Sequence, residues 1–265
     1  MRDGLTDYLQ FVIDRTGPYA AAAPLLAAAL RTNAADAGAT RDVVDLGSGA
    51  GGPWRTLAGA LAAAGVPVRV RLTDAYPNAA AFARLAVATG GVVTGAPQPV
   101  SADAVPADLA GFRTLFSAFH HYPPPLARRV LADAVARGAG IGVFEATRRD
   151  PRALLVMLAV PFAVLLATPL LRPFRWSRLL LTYVLPLIPL VALVDGVVSC
   201  LRTYTPDELR ALARAAEADA AQAGVATGDT PGDGARGDAG YAWTAGEAGA
   251  GPIPMTYLVG RPGHP

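Results

Sequence analysis

Residues 42–52 read Asp42-Val-Val-Asp45-Leu-Gly47-Ser-Gly49-Ala-Gly51-Gly52, a β-branched pair running into a glycine-dense turn. Val43 and Val44 suit a buried strand. Gly47, Gly49 and Gly51 allow positive φ and let the backbone approach a ligand that any Cβ would hold off. A helix is predicted to begin near Pro53 and Trp54, because proline is tolerated in a first helical turn. Strand, glycine turn and helix in this order make a nucleotide-cofactor loop.

Two cofactor classes compete for that loop, since Gly47, Gly49 and Gly52 also satisfy the dinucleotide pattern G-x-G-x-x-G. Asp45 separates them. An acid two residues before the first glycine repels a pyrophosphate at close range and attracts the α-ammonium group of S-adenosylmethionine, which carries no phosphate. Further along, Val68-Arg-Val-Arg-Leu-Thr-Asp74 alternates as a strand and ends in an acid able to accept ribose hydroxyls. Asp74 fits either cofactor.

With these segments in hand, the chain resembles the class I S-adenosylmethionine-dependent methyltransferases. Asp45 to Gly51 is similar to the family's first motif, Asp74 sits like its ribose-binding acid, and Ser101-Ala-Asp103-Ala104 looks like its adenine-contacting segment. Leu115-Phe-Ser-Ala-Phe-His120-His121-Tyr122 is similar to a hydrophobic fourth strand ending in His-His, and Ile141-Gly-Val-Phe-Glu145 to the fifth strand, after a helix from about Pro125 to Ala136. Tyr241 to Trp243 and Pro254 to Val259 match a closing antiparallel pair. The resemblance implies an α/β, Rossmann-like fold with a mostly parallel, seven-stranded sheet and S-adenosylmethionine as cofactor. The implied cofactor-binding residues are Asp45, Gly47, Gly49, Gly51, Asp74, Asp103 and Ala104.

The chain divides into a helical cap over 1–40, a cofactor core over 41–150, an apolar hairpin over 151–203, and a tail over 204–265 that completes the core. Its 265 residues are 52% hydrophobic and 17% charged, enough for one substantial core. All 23 basic residues are arginine, and this, with the alanine, glycine and proline excess, reflects codon bias. A net charge of +2 and the absence of a basic stripe interleaved with aromatics argue against nucleic acid as a partner. Cys200 is the single cysteine, so no intramolecular disulfide or cysteine zinc site forms, and no metal is expected. Asp3, Asp7, Gln10, Asp14 and Arg15 interrupt the first 31 residues, which therefore read as cap helices rather than a secretory signal. Tyr8, Phe11 and Tyr19 are candidates to close over the cofactor, with ordinary helix packing as the competing role.

The segment from Ala153 to Leu201 is too apolar for a water-facing surface. Ala153 to Leu171 carries no charge, Arg172, Arg175 and Arg178 then flank Phe174 and Trp176, and Leu179 to Val194 is again uncharged up to Asp195. At about 1.5 Å per residue the two runs reach roughly 28 and 24 Å, against a bilayer core of about 30 Å. Prolines 161, 169, 186 and 189 are expected to kink or break both helices. Arginines lie at both ends, which removes the positive-inside bias of a two-pass anchor. The preferred reading is a hairpin embedded in one membrane face, on the cytoplasmic side. A two-pass anchor, a soluble lid and an oligomer interface are the alternatives. Each version implies a small hydrophobic acceptor.

Methyl transfer from a sulfonium depends more on in-line positioning than on a protein nucleophile. A base helps when the acceptor is protonated, and an imidazole, titrating near ~6.5 in water, can take a phenol, enol or carboxylic proton. His120, His121 and Glu145 are therefore the catalytic candidates, with packing or loop hydrogen bonding as the competing role. Asp195 is expected to cap a helix or pair with an arginine. Thr205, Pro206 and Glu208 predict a capped helix running to about Ala221, followed by a glycine-rich loop over 224–240. The functional expectation is transfer of a methyl group, with oxygen slightly favoured. An NAD(P)-dependent oxidoreductase and a non-catalytic membrane-associated scaffold are the alternatives.

Overall fold

The computed structural model describes residues 2–31, 38–171, 174–226, 240–250 and 253–263. Arg172 and most of the glycine-rich loop, residues 227–239, lie outside them. Seven strands form one sheet: β1 (Arg41–Leu46), β2 (Val68–Thr73), β3 (Val93–Gly95), β4 (Phe112–Phe116), β5 (Ile141–Glu145), β6 (Tyr241–Ala248) and β7 (Met255–Pro262). Their order is β3-β2-β1-β4-β5-β7-β6, parallel except for β7, which runs against both neighbours. The α/β, mostly parallel sheet expected from the sequence is present. It is buried on both faces, which is why β4 and β5 are covered at every position.

One face packs on α2 (Ala22–Leu30), α3 (Trp54–Ala63) and α4 (Ala79–Ala88), with Leu26, Trp54, Leu61 and Phe82 filling the layer. The other packs on α5 (Pro124–Ala136) and α9 (Pro206–Ala226) through Val130, Leu131, Leu209 and Ala213. Pro53 stands at the N-cap of α3, as its tolerated position requires. The capping box opens α9: the Thr205 amide donates to the Glu208 carboxylate at 2.8 Å and the Glu208 amide to Thr205 Oγ1 at 3.3 Å. The helix runs one turn beyond the predicted end.

The fourth strand ends earlier than its hydrophobicity suggested, at Phe116 rather than at the histidines. Ser117 breaks it, with φ +44°, the single positive φ outside glycine among the described residues. Its hydroxyl accepts hydrogen bonds from Tyr19 Oη at 2.7 Å and from the Ala146 amide at 3.0 Å, two partners that hold it in place. The chain then turns through a 3₁₀ segment at Phe119–His121.

The hairpin forms from α6 (Pro151–Ala167), a short turn, α7 (Trp176–Leu179) continuing as π-helix to Val184, and α8 (Leu187–Arg202). Pro161 is carried inside α6, whereas Pro169 stands in the turn that ends it. Pro186 stands at a 75° bend between Val184 and α8. Of the expected kinks or breaks in both helices, the second arm shows the bend at Pro186, and α6 continues through Pro161. The arginine tip is corrected as well: Arg178 is 4% exposed and donates to the Leu171 carbonyl at 3.2 Å, so it points inward. Helix α1 (Arg2–Thr16) lies across the hairpin, where Tyr8 and Phe11 pack with Val164, Ala167 and Ile188. These two aromatics pack with the hairpin.

Candidate functional site

In an open parallel sheet the ligand crevice forms where the strand order reverses, at the carboxyl ends of the strands. Here that point lies between β1 and β4, and the polar side chains singled out from sequence collect at this end of the sheet. The glycine turn follows β1, Asp74 follows β2, His120 and His121 follow β4, and Glu145 ends β5. A separate cavity of about 730 Å³ opens at the opposite end, beside Arg41, Gly111 and Gly140, away from these groups.

The turn is built by positive φ at Gly47 (+65°), Gly49 (+55°), Gly51 (+113°) and Gly52 (+53°), values that only glycine adopts freely. Two of them play different parts. A Cβ on Gly51 would stand 2.5 Å from Leu85 Cδ2, so that glycine serves packing. A Cβ on Gly49 would meet no protein atom within 4 Å, so that glycine faces open space. The Gly49 amide donates to Asp74 Oδ2 at 2.9 Å and the Tyr76 amide to Oδ1 at 2.8 Å, which fixes the carboxylate beside the turn. Each oxygen keeps a lone pair for a further donor.

Asp45 lies beneath the turn, 1% exposed, with its Oδ1 accepting from Thr114 Oγ1 at 2.7 Å. Burial raises its carboxyl to about 6, against the lowering by hydrogen bonds from Ser48 and Thr114 and by the nearby Trp54 indole. The Trp54 N–H lies outside hydrogen-bonding geometry and is buried without a partner among the described residues. Above a pH of about 6 Asp45 is ionised. Gly47 packs against the β4 turn, where a Cβ would stand 3.1 Å from Ala118 Cβ and 3.5 Å from Tyr122 Oη. Burial pushes the Tyr122 phenol up to about 12, with the charges of Asp74, Asp103, Glu145 and Asp45 adding to it.

His120 and Glu145 form a buried dyad, Nδ1 to Oε2 at 2.6 Å. Glu145 Oε1 accepts the Phe119 amide at 2.8 Å and the His120 amide at 3.3 Å. With an ionised Glu145 as acceptor, Nδ1 carries the ring proton and a neutral ring presents its lone pair at Nε2. Nε2 is buried without a partner among the described residues. His121 is exposed on one side and partly covered by its neighbours. Burial by its surroundings, then the neighbouring His120, lower its pKa, so it stays neutral at pH 7.

Asp103 is tied to Ser101 Oγ at 2.5 Å and to Arg129 at 3.0 Å; the Ser101 hydrogen bond is the main cause of its lowered pKa. Ala104 is exposed beside it. Thr114, Ser117 and Gln10 were not legible as site residues. Gln10 Nε2 donates to the Gly52 carbonyl at 3.1 Å, linking α1 to the glycine turn. A hydroxyl or amide inside a strand or helix carries no spacing signal, and each is identified only by the partner that folding brings to it.

No family model and no curated protein matches the chain. Among solved structures, mitomycin 7-O-methyltransferase MmcR is similar over 91% of this chain and 52% of its own, at 17% identity and TM-score 0.48. Human N-acetylserotonin methyltransferase, in complex with SAM, is similar over 97% and 56%, at 15% identity and TM-score 0.49. A Rhodobacter sphaeroides protein named as a Zn-dependent alcohol dehydrogenase is similar over 84% of both chains, at 15% identity and TM-score 0.45. The chain spans about half the length of the two methyltransferases.

Proposed function

We propose that this protein is an S-adenosylmethionine-dependent methyltransferase that acts on a small hydrophobic acceptor, with oxygen as the favoured target atom, at the cytoplasmic face of a membrane. The observation that carries the cofactor reading is the buried acid Asp45 directly beneath an open glycine turn. A negative charge there opposes a pyrophosphate and favours a cationic ligand. Asp74, held half-buried by the Gly49 and Tyr76 amides, has free lone pairs for ribose hydroxyls, and the uncrowded Gly49 leaves room for the ligand backbone. Asp103 and Ala104 stand at the adenine edge, by the motif resemblance. These residues fit the cofactor, which when bound supplies an electrophilic methyl group.

The protein's own chemistry is orientation and proton removal. Glu145 holds the His120 ring in one tautomer and stabilises the imidazolium that forms as Nε2 takes the acceptor proton. His121, neutral and exposed on one side, lines the approach. The cofactor assignment is tested by calorimetric titration with S-adenosylhomocysteine and with NADH, alongside Asp74→Ala. The expected result is binding of S-adenosylhomocysteine alone, weakened at least tenfold in the variant. Binding of NADH alone would move the chain to the oxidoreductase alternative, and binding of neither by folded protein to the scaffold.

The hairpin supports the membrane part of the proposal. Residues 151–170 form an apolar helical run of 20 residues, α-helical to Ala167 and 3₁₀ from Thr168 to Leu170, and 22% of an 18-residue apolar stretch within it is buried. Leu155, Leu158, Phe162, Leu166, Leu170 and Trp176 are all more than half exposed. Outside the hairpin, exposed large hydrophobics among the described residues are confined to Leu9, Tyr76, Val87 and Val92. A face this apolar suits lipid. The 75° bend at Pro186 favours a re-entrant hairpin over two straight crossings. Phe162→Asp is expected to abolish flotation with phosphatidylglycerol-containing vesicles while leaving S-adenosylhomocysteine affinity unchanged. A carboxylate at bilayer depth costs about 2.5–3.5 kcal/mol. Wild-type protein that stays dispersed without detergent and does not float would overturn the membrane assignment, and a stable dimer in that state would support the oligomer alternative.

A further inference from the structure

Asp195 is the one acid in the hairpin, in a helix whose apolar residues include Leu187, Ile188, Leu190, Val191, Leu193, Val194 and Val197. It neither caps a helix nor pairs with an arginine among the described residues. It lies in the interior of α8, half-buried, one turn from the buried Ala192 and Ser199 on the inward stripe. Gly196 beside it abuts α6, where a Cβ would stand 2.7 Å from Met157 Sδ. Helix α8 also packs against the Phe119–His121 turn, and the charge of Asp195 acts on His121. A carboxylate kept in an apolar helix without a partner is costly, and a ligand group that pairs with it offsets that cost.

The dyad states what such a ligand must bring. With Nδ1–H committed to Glu145, His120 offers Nε2 as an acceptor, and Asp195 offers only acceptors when ionised. Both groups therefore call for donors. Resting on the methyltransferase reading above, we propose that Asp195 anchors the acceptor through a second hydrogen-bond donor, so that the acceptor class is an apolar molecule with two such donors. One is the hydroxyl that gives its proton to His120, and the other is a hydroxyl or amine held by Asp195. Asp195 is then a specificity-determining residue supplied by the hairpin.

The test uses the full-length protein in mild detergent, saturated with S-adenosylhomocysteine. The probes are 4-nonylphenol and the three nonyl-substituted dihydroxybenzenes with 1,2, 1,3 and 1,4 hydroxyl patterns. At least one dihydroxybenzene is expected to bind about tenfold more tightly than the monophenol to the wild type. Asp195→Ala should erase that preference, leave the monophenol affinity unchanged, and leave S-adenosylhomocysteine binding intact as the check on folding. Asp195→Asn, which keeps one acceptor oxygen, should retain part of it. Absence of any dihydroxybenzene preference in the wild type, or a preference that survives Asp195→Ala, would overturn the proposal while leaving the cofactor reading standing. Failure of the wild type to bind S-adenosylhomocysteine would overturn the reading beneath it.

Discussion

His120→Ala is expected to slow methyl transfer to a protonated oxygen acceptor by about 10²–10⁴-fold, the usual worth of a positioned general base, and to leave S-adenosylhomocysteine affinity within about twofold. The buried imidazole is the only group of the dyad with an open nitrogen, and Nε2 has no protein partner to lose among the described residues. Folding should survive the change because Glu145 keeps the Phe119 and His120 amides on its other oxygen. The loss should therefore appear in kcat at saturating cofactor and not in cofactor binding. His120→Gln, which preserves an acceptor near the same place without a usable proton affinity, should be as slow. Full activity in both variants on a phenolic acceptor would show that the ring is structural and that the acceptor ionises unaided.

Gly49→Val carries the second large effect, loss of measurable cofactor binding in a chain that still folds. At φ +55° a β-branched residue is disfavoured by about 1–2 kcal/mol, a cost a domain of this size can bear. No protein atom lies within 4 Å of the new Cβ, so packing is spared and the side chain instead fills the space over the turn. Gly51→Val makes the contrast. Its Cβ would run into Leu85, and this variant should lose thermal stability before it loses anything specific to the site. Circular dichroism melts and calorimetric titration of the two variants separate these outcomes. Retained S-adenosylhomocysteine binding in Gly49→Val would sink the assignment of the turn.

The hairpin shows where sequence reasoning reached its limit. Its apolar length, its prolines and the lone Asp195 are visible in the order of residues, yet Arg178 was read as part of a basic tip and turns inward to the Leu171 carbonyl. Tyr8 and Tyr19 were equal candidates on the chain. Packing sends one to the hairpin and the other to the hydroxyl of Ser117. An arginine or tyrosine carries both an apolar body and a polar tip, so its direction is settled by the neighbours that arrive, which its own position in the sequence does not specify.

The sequence by itself determined β1, β2, β5 and the closing antiparallel pair, the glycine turn, the capping box of α9 and the acids at the ends of β1, β2 and β5. Each of these follows from backbone freedom, side-chain branching or spacing within a few residues. Only the tertiary structure decided that Thr114 holds Asp45 from 69 residues away, that Glu145 fixes the His120 ring across 25 residues, and that Gln10 ties the first helix to Gly52. Those contacts join groups whose separation in the chain carries no pattern. They exist because a parallel sheet lays β1, β4 and β5 side by side and delivers their carboxyl ends to one crevice.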